Sequence, residues 1–264
     1  MDMPDTQSIQ TFGFDRRPLD LRFRTTTLVD REWLSPDYIR VRVQGEDLVG
    51  FGAGAGVDDH VRIFFTDGSA TTIEEMRDAP SREFTPLFWG EDWLDFEFAV
   101  HGDVGVAGVW AATAPLGAPL GVGGPRGSIH LDGTPQSWFL TGDETAIAQI
   151  RRYAAAMPSD ATGRILIEVA DAEREVAVDA PAGVEIEYVH RAGAAPTAAL
   201  IERLESLTDA ERPAGDVFAF IAAEQAIVKA GRALLQRWGV DVARAVVKGY
   251  WKGDESGTTY HAPH

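Results

Sequence analysis

Apolar and polar positions alternate through the first half of the chain. Ile39-Arg40-Val41-Arg42-Val43 and Leu94-Asp95-Phe96-Glu97-Phe98 switch at every residue, and His60 to Phe65 follows a similar rhythm. Period-two alternation marks strands with one buried and one wet face. Pro, Gly and Asp clusters separate the runs at Ser35-Pro36-Asp37, Gly50 to Gly56 and Thr66-Asp67-Gly68. Short strands without long helices predict a small antiparallel barrel. One short helix is expected within Val104–Ala114, ended by Pro115-Leu116-Gly117.

After residue 134 the period changes. Strands are expected at Ser137–Thr141, Arg164–Val169, Val184–Val189, Val217–Ala222 and Ala245–Tyr250. Helices are expected at Thr145–Met157, Pro196–Leu207 and Glu224–Trp238, the second with Leu200, Ile201, Leu204 and Leu207 at helical spacing. Strands that alternate with helices imply a parallel sheet, because parallel neighbours need a crossover between them. The predicted fold class is β + α/β: an N-terminal antiparallel Greek-key β-barrel followed by a C-terminal α/β domain with a parallel sheet. The expected division is an N-terminal extension over 1–19, the barrel over 20–133, the α/β domain over 134–253 and a flexible tail over 254–264.

Charge narrows the partners. The 264 residues include 41 acidic and 24 basic side chains, a net charge of −17. Nucleic-acid binding needs a basic footprint, which is missing here. An anionic ligand must find a local positive spot in a negative field. The absence of cysteine removes disulfides, thiolate zinc sites, cysteine nucleophiles and iron–sulfur clusters. Lys229, Lys248 and Lys252 are the only lysines, all near the carboxyl end. Residues 1–20 lack the apolar core of a signal peptide, and no apolar run is long enough to span a membrane. A cytoplasmic monomer with no nucleic-acid partner and no stable membrane association is expected.

Three local patterns are candidates for chemistry. Gly121 to Gly127 resembles a phosphate loop, but no helix follows it and Pro125 removes a donor, so Arg126 is its better candidate. Gly142-Asp143-Glu144-Thr145 follows the first α/β strand and opens a helix, where open sheets bind ligands. Its carboxylates read either as simple caps or as a loop that meets a sugar or uncharged ring rather than phosphate. The six histidines show no metal-site spacing, and no Gly-x-Ser-x-Gly elbow occurs.

Five strings occur in order: Arg82-Glu83-Phe84-Thr85, Val100-His101-Gly102-Asp103, Gly123 to Ser128, Gly142 to Ala146, and Gly249-Tyr250-Trp251-Lys252-Gly253. Over roughly residues 20–253 the chain resembles the siderophore-interacting protein family, flavin-dependent ferric-siderophore reductases of ferredoxin-reductase-like layout. The resemblance implies FAD as cofactor, NADPH or NADH as electron donor, a ferric siderophore as substrate and no protein metal ligands. It implies that Arg82 holds the pyrophosphate or ribityl region and that Thr85 presents its hydroxyl or N–H near flavin N5. Phe84, where a tyrosine is usual, would cover the ring. His101 and Gly102 would line the adenine or pyrophosphate side, Ala107 and Gly108 the pyrophosphate loop, and Tyr250 and Trp251 the other flavin face. Gly142, Asp143, Glu144 and Thr145 would face the nicotinamide, with Glu224 near its nucleotide. Arg191 would either meet a 2′-phosphate or be a surface charge.

Lys248 and Lys252, flanking the aromatic pair, and Arg126 are the candidates for siderophore contact; two solvated lysines are the other reading. The departures from the family pattern are Leu87 for a second arginine, Gly108 for a Ser or Thr, and Ala223 for a glycine. Each lost hydrogen bond to a charged group weakens binding by ~1.5–3 kcal/mol. They leave two alternatives: a siderophore-binding or delivery protein that does not reduce, or a flavin reductase (diaphorase) acting on free flavin.

Overall fold

The computed structural model describes residues 11–70, 72–102 and 105–253, with the backbone of Thr259–Tyr260. The rest of the expected tail, the first ten residues of the expected extension, and Asp103 lie outside the described residues.

The alternating half supplies β1 (Phe12–Pro18), β2 (Phe23–Ser35), β3 (Tyr38–Gln44), β4 (Val61–Phe65), β5 (Ser81–Phe84), β6 (Phe88–Trp89), β7 (Trp93–Ala99), β8 (Pro119–Gly123) and β9 (Gly127–Gly133). Seven of them form one antiparallel sheet in the order β5-β4-β8-β2-β3-β7-β6, curled as a half-barrel. Ile39, Val41 and Val43 turn inward and are fully buried, beside Leu94, Phe96 and Phe98 of β7. Each such side chain contributes about 1.5–3 kcal/mol of burial. The register places Arg40 opposite Glu97 and Arg42 opposite Asp95, so the outward positions pair across the strands.

β1 and α1 are among the elements that went unread in the sequence. β1 pairs with β9, and Phe12 and Phe14 pack against Phe218 of the second domain, so part of the extension belongs to the interdomain core. Helix α1 (Ile73–Asp78) starts on a capping box between Thr72 and Glu75. The expected short helix is α2 (Val106–Thr113).

The second half contains β10 (Ser137–Asp143), α3 (Ile147–Ala156), β11 (Thr162–Val169), β12 (Gly183–His190), α4 (Ala198–Ser206), β13 (Val217–Glu224), α5 (Ile227–Arg237), β14 (Ala245–Gly253) and β15 (Thr259–Tyr260). The order β12-β11-β10-β13-β14 is parallel throughout, and β15 adds an antiparallel edge. β10 and β13 are buried on both faces, which explains their unbroken apolar runs. All three helices start two or three residues later than expected. A 3₁₀ turn over Glu144–Ala146 precedes α3, and Glu224 ends β13 rather than starting α5.

Helix α3 joins the two domains. Gln149 Nε2 donates to the Val57 carbonyl at 2.6 Å, Arg152 meets Asp59 at 2.6 Å, and Arg151 pairs with the buried Glu97. These polar contacts, specific in direction, add to the apolar junction of Phe12 and Phe14 with Phe218.

Candidate functional site

A cavity of about 730 Å³ lies where the half-barrel faces the carboxyl ends of the parallel strands, the position open α/β sheets use for ligands. Sequence-distant segments meet there. β5 supplies Arg82, Phe84 and Thr85, and the start of α2 supplies Gly105 to Gly108. The sheet supplies Glu144 and Thr145 after β10, Arg191 after β12, Glu224 from β13, and Lys248, Tyr250 and Trp251 from β14.

On the barrel side, Phe84 is anchored by Phe98 and Phe65, with ring centroids 4.5 and 6.1 Å away. Among the described residues the Arg82 guanidinium donates only to the Ser81 carbonyl and has no carboxylate partner. Gly105, the N-cap of α2, makes no side-chain capping bond, so no cap side chain satisfies the first amide N–H groups of the helix beside the cavity. Gly108 has a packing reason. A Cβ there would stand 3.0 Å from the Ala99 carbonyl oxygen, so glycine lets α2 sit against the end of β7.

On the sheet side, a bulge in the β13–β14 pairing sets Glu224 opposite Trp251 and leaves Tyr250 as the extra residue. Adjacent strand residues normally point to opposite faces, and the bulge lets both aromatic side chains reach the cavity. Trp251 Nε1 donates to Asp143 Oδ2 at 2.8 Å. Burial, followed by the charges of Asp58 and Asp143, pushes the Tyr250 hydroxyl well above its ordinary pKa, and a hydrogen bond with Thr85 acts the other way. Tyr250 is thus a neutral phenol at physiological pH.

The capping reading of the β10 loop holds for Asp143, which accepts the Thr145 N–H at 3.0 Å. A Cβ on Gly142 would lie 2.3 Å from the Ala222 carbonyl oxygen, so this position needs glycine for close approach of β13. Glu144 does something else: it holds Arg191 through two hydrogen bonds of 2.7 and 2.9 Å. Arg191 is not a free surface charge, since Glu168 lies 3.5 Å away as well.

Several expected site residues do not line the cavity. Gly142 and Asp143 are one layer behind it, while Gly102, Arg126 and Lys252 are exposed beside it or away from it. His101, Ala107 and Gly108 do line it, and Lys248 reaches it with its Nζ 3.1 Å from Asp58. Asp58, His60 and Glu97 also line it and had no motif to reveal them. Among the described residues no group of three His, Asp or Glu side chains is disposed to hold a metal.

Asp143 is buried, and burial followed by the Glu144 charge pushes its pKa up to about 7, against hydrogen bonds from Thr145 and Trp251 that lower it. An unfolded aspartate titrates near 3.9. Between about pH 4 and 7 the folded state therefore holds a proton that the unfolded chain has lost, and this group's contribution to stability falls as pH rises through that window. Asp143→Asn is expected to flatten the slope of unfolding free energy against pH between about 4 and 7. Urea titrations across that range check it, and an unchanged slope would refute the assignment.

The cavity fits a flavin dinucleotide on three observations: aromatic walls, an uncapped helix start, and an arginine without a carboxylate partner. Comparison with known proteins points the same way. The siderophore-interacting FAD-binding domain pattern matches residues 27–129, and the siderophore-interacting protein pattern matches residues 135–254. The ferric vibriobactin reductase ViuB of Vibrio cholerae is 29% identical over 259 residues, 90% of this chain and 92% of that protein. The NADPH-dependent ferric-chelate reductase of Escherichia coli is 30% identical over 247 residues, 88% of this chain and 94% of that protein. The crystal structure of a siderophore utilization protein from T. fusca superposes with a TM-score of 0.81 at 31% identity, covering 94% of this chain and 100% of that one. With a half-barrel and a parallel sheet in ferredoxin-reductase-like arrangement, and with both family patterns in place, the chain belongs to the siderophore-interacting protein family.

Proposed function

We propose that this protein is a ferric-siderophore reductase of the cytoplasm, passing electrons from NADPH or NADH through FAD to Fe(III) held by a siderophore. The observation that carries the reading is the cleft shared by the two domains, with Arg82, Phe84 and Thr85 on one wall and Glu144, Glu224, Tyr250 and Trp251 on the other. The names of the Vibrio and Escherichia relatives support it.

FAD, when bound, accepts a hydride from the nicotinamide and releases electrons singly, so one NAD(P)H reduces two Fe(III) to Fe(II). The chain's own residues bind and orient. Arg82 and the first N–H groups of α2 would hold the pyrophosphate, and Phe84 and Tyr250 bound the apolar part of the cleft. Thr85, hydrogen-bonded with Tyr250, would present its hydroxyl or N–H to the flavin. The iron stays with its siderophore as Fe(III) and is released on reduction, because Fe(II) binds hard oxygen donors more weakly than Fe(III) does.

The test is the visible spectrum of the purified protein. Bands of oxidised flavin, bleached by NADPH or NADH and restored by a ferric siderophore with trapped Fe(II) as product, are expected. Colourless protein that cannot be reconstituted with FAD would sink the reading. It would leave siderophore delivery without reduction, which Leu87 favours: buried at 4% exposure, it brings no charge to the cleft.

A further inference from the structure

We propose that the cleft selects ferric complexes of zero or positive net charge, the tris-hydroxamates, over anionic tris-catecholates. The inference rests on the reductase reading and names the substrate class of that site.

The cleft has no cation left for an anion of high charge. Among the described residues three arginine or lysine side chains line it: Arg82, Arg191 and Lys248. Lys248 Nζ is 3.1 and 3.5 Å from the two carboxylate oxygens of Asp58. Arg191 is saturated by Glu144, with Glu168 behind it. Of these three, Arg82 alone has no carboxylate partner among the described residues, and the FAD pyrophosphate, with two negative charges, would take it. In the opposite direction, Glu224 lines the cleft and, among the described residues, accepts only the Ala226 N–H at 2.6 Å and pairs with no cation. Arg126 and Lys252 do not line the cleft, and Asp254 and Glu255 follow Lys252 in the sequence. The whole chain carries −17.

The ligand chemistry then decides. A hydroxamate donates one negative charge, so three of them neutralise Fe(III). A catecholate donates two, so three leave a complex of charge 3−. Bringing 3− into a cleft whose cations are paired, within a negative protein, is opposed by Coulomb repulsion that only salt relieves. The neutral complex meets no such barrier, and a hydroxamate with a free ammonium arm is attracted.

Gallium(III) complexes test this without electron transfer, because Ga(III) has the charge of Fe(III) and is not reduced. The purified protein is titrated with gallium complexes of a linear tris-hydroxamate and of a tris-catecholate, following the fluorescence of Trp251 and its neighbours. Salt is varied between about 0.01 and 1 M, over which the Debye length falls from about 30 to about 3 Å. The hydroxamate is expected to bind about tenfold tighter or more at low salt, with catecholate binding improving as salt rises. Asp58→Asn, which frees Lys248, is expected to raise catecholate affinity. Catecholate that binds as tightly at low salt and weakens as salt rises would overturn the proposal, as would failure of both complexes to bind. Hydroxamate preference in a protein that takes up no flavin would uphold it while removing the reductase reading, so the two failures are distinguishable.

Discussion

Arg82→Ala is expected to lower FAD affinity by about 10- to 150-fold, so that the variant purifies largely without flavin. The range follows from losing hydrogen bonds between a guanidinium and a charged group, worth ~1.5–3 kcal/mol, at about 1.4 kcal/mol per tenfold. The side chain donates within the protein only to the Ser81 carbonyl, so the fold loses little by the change. Circular dichroism and unfolding free energy are expected to match the unaltered protein. Arg82→Lys is expected to fall between the two, because an ammonium keeps the charge but loses the planar fork that grips two phosphate oxygens. Titration with FAD, followed by quenching of flavin fluorescence, measures all three. An unchanged dissociation constant in Arg82→Ala would place the pyrophosphate elsewhere.

Positions governed by local periodicity were legible in the sequence. β3, β4 and β7 alternate because one face meets the barrel core, and β10 and β13 are uniformly apolar because helices cover both faces. The Gly142–Thr145 string marked the mouth of the sheet, since a strand followed by a helix has its ligand end there. Contacts closed only by tertiary folding were not legible. Asp58 and Lys248 are 190 positions apart, and nothing local to either shows that the aspartate neutralises the lysine. Reading Lys248 as part of a positive mouth failed to include that partner. The bulge that aims both Tyr250 and Trp251 into the cleft is likewise invisible to an alternation rule, which sends them to opposite faces. β1 has too short an apolar pattern to declare itself. It is held by pairing with β9 and by the Asp216 carboxylate, which accepts from Thr11 and is clamped by Arg244.

Arg152→Ala is expected to cost about 3–5 kcal/mol of stability, the range for removing one partner of a buried ion pair. Arg152 projects from α3 into the half-barrel, where it is 5% exposed and Asp59 is 1% exposed, with 2.6 Å between Nη2 and Oδ2. The same guanidinium donates to the Gly56 carbonyl and lies 5.3 Å from the Trp89 ring centroid. Alanine would leave the Asp59 carboxylate in the interior without a cation and the Gly56 carbonyl without its donor. A domain of ordinary stability has about 5–15 kcal/mol in all, so the variant should be only marginally folded at 37 °C. Asp59→Ala/Arg152→Ala is expected to be less damaging than the sum of the single changes, because the second removes the charge that the first strands. Urea unfolding of the three variants measures the coupling. The effect should also reach the cleft, since Asp58 beside Asp59 holds Lys248, and a loosened 56–60 segment would release it. If Arg152→Ala unfolded at the same urea concentration as the unaltered protein, the pair would contribute nothing to stability, and of the polar contacts that α3 makes with the half-barrel those of Gln149 and Arg151 would remain.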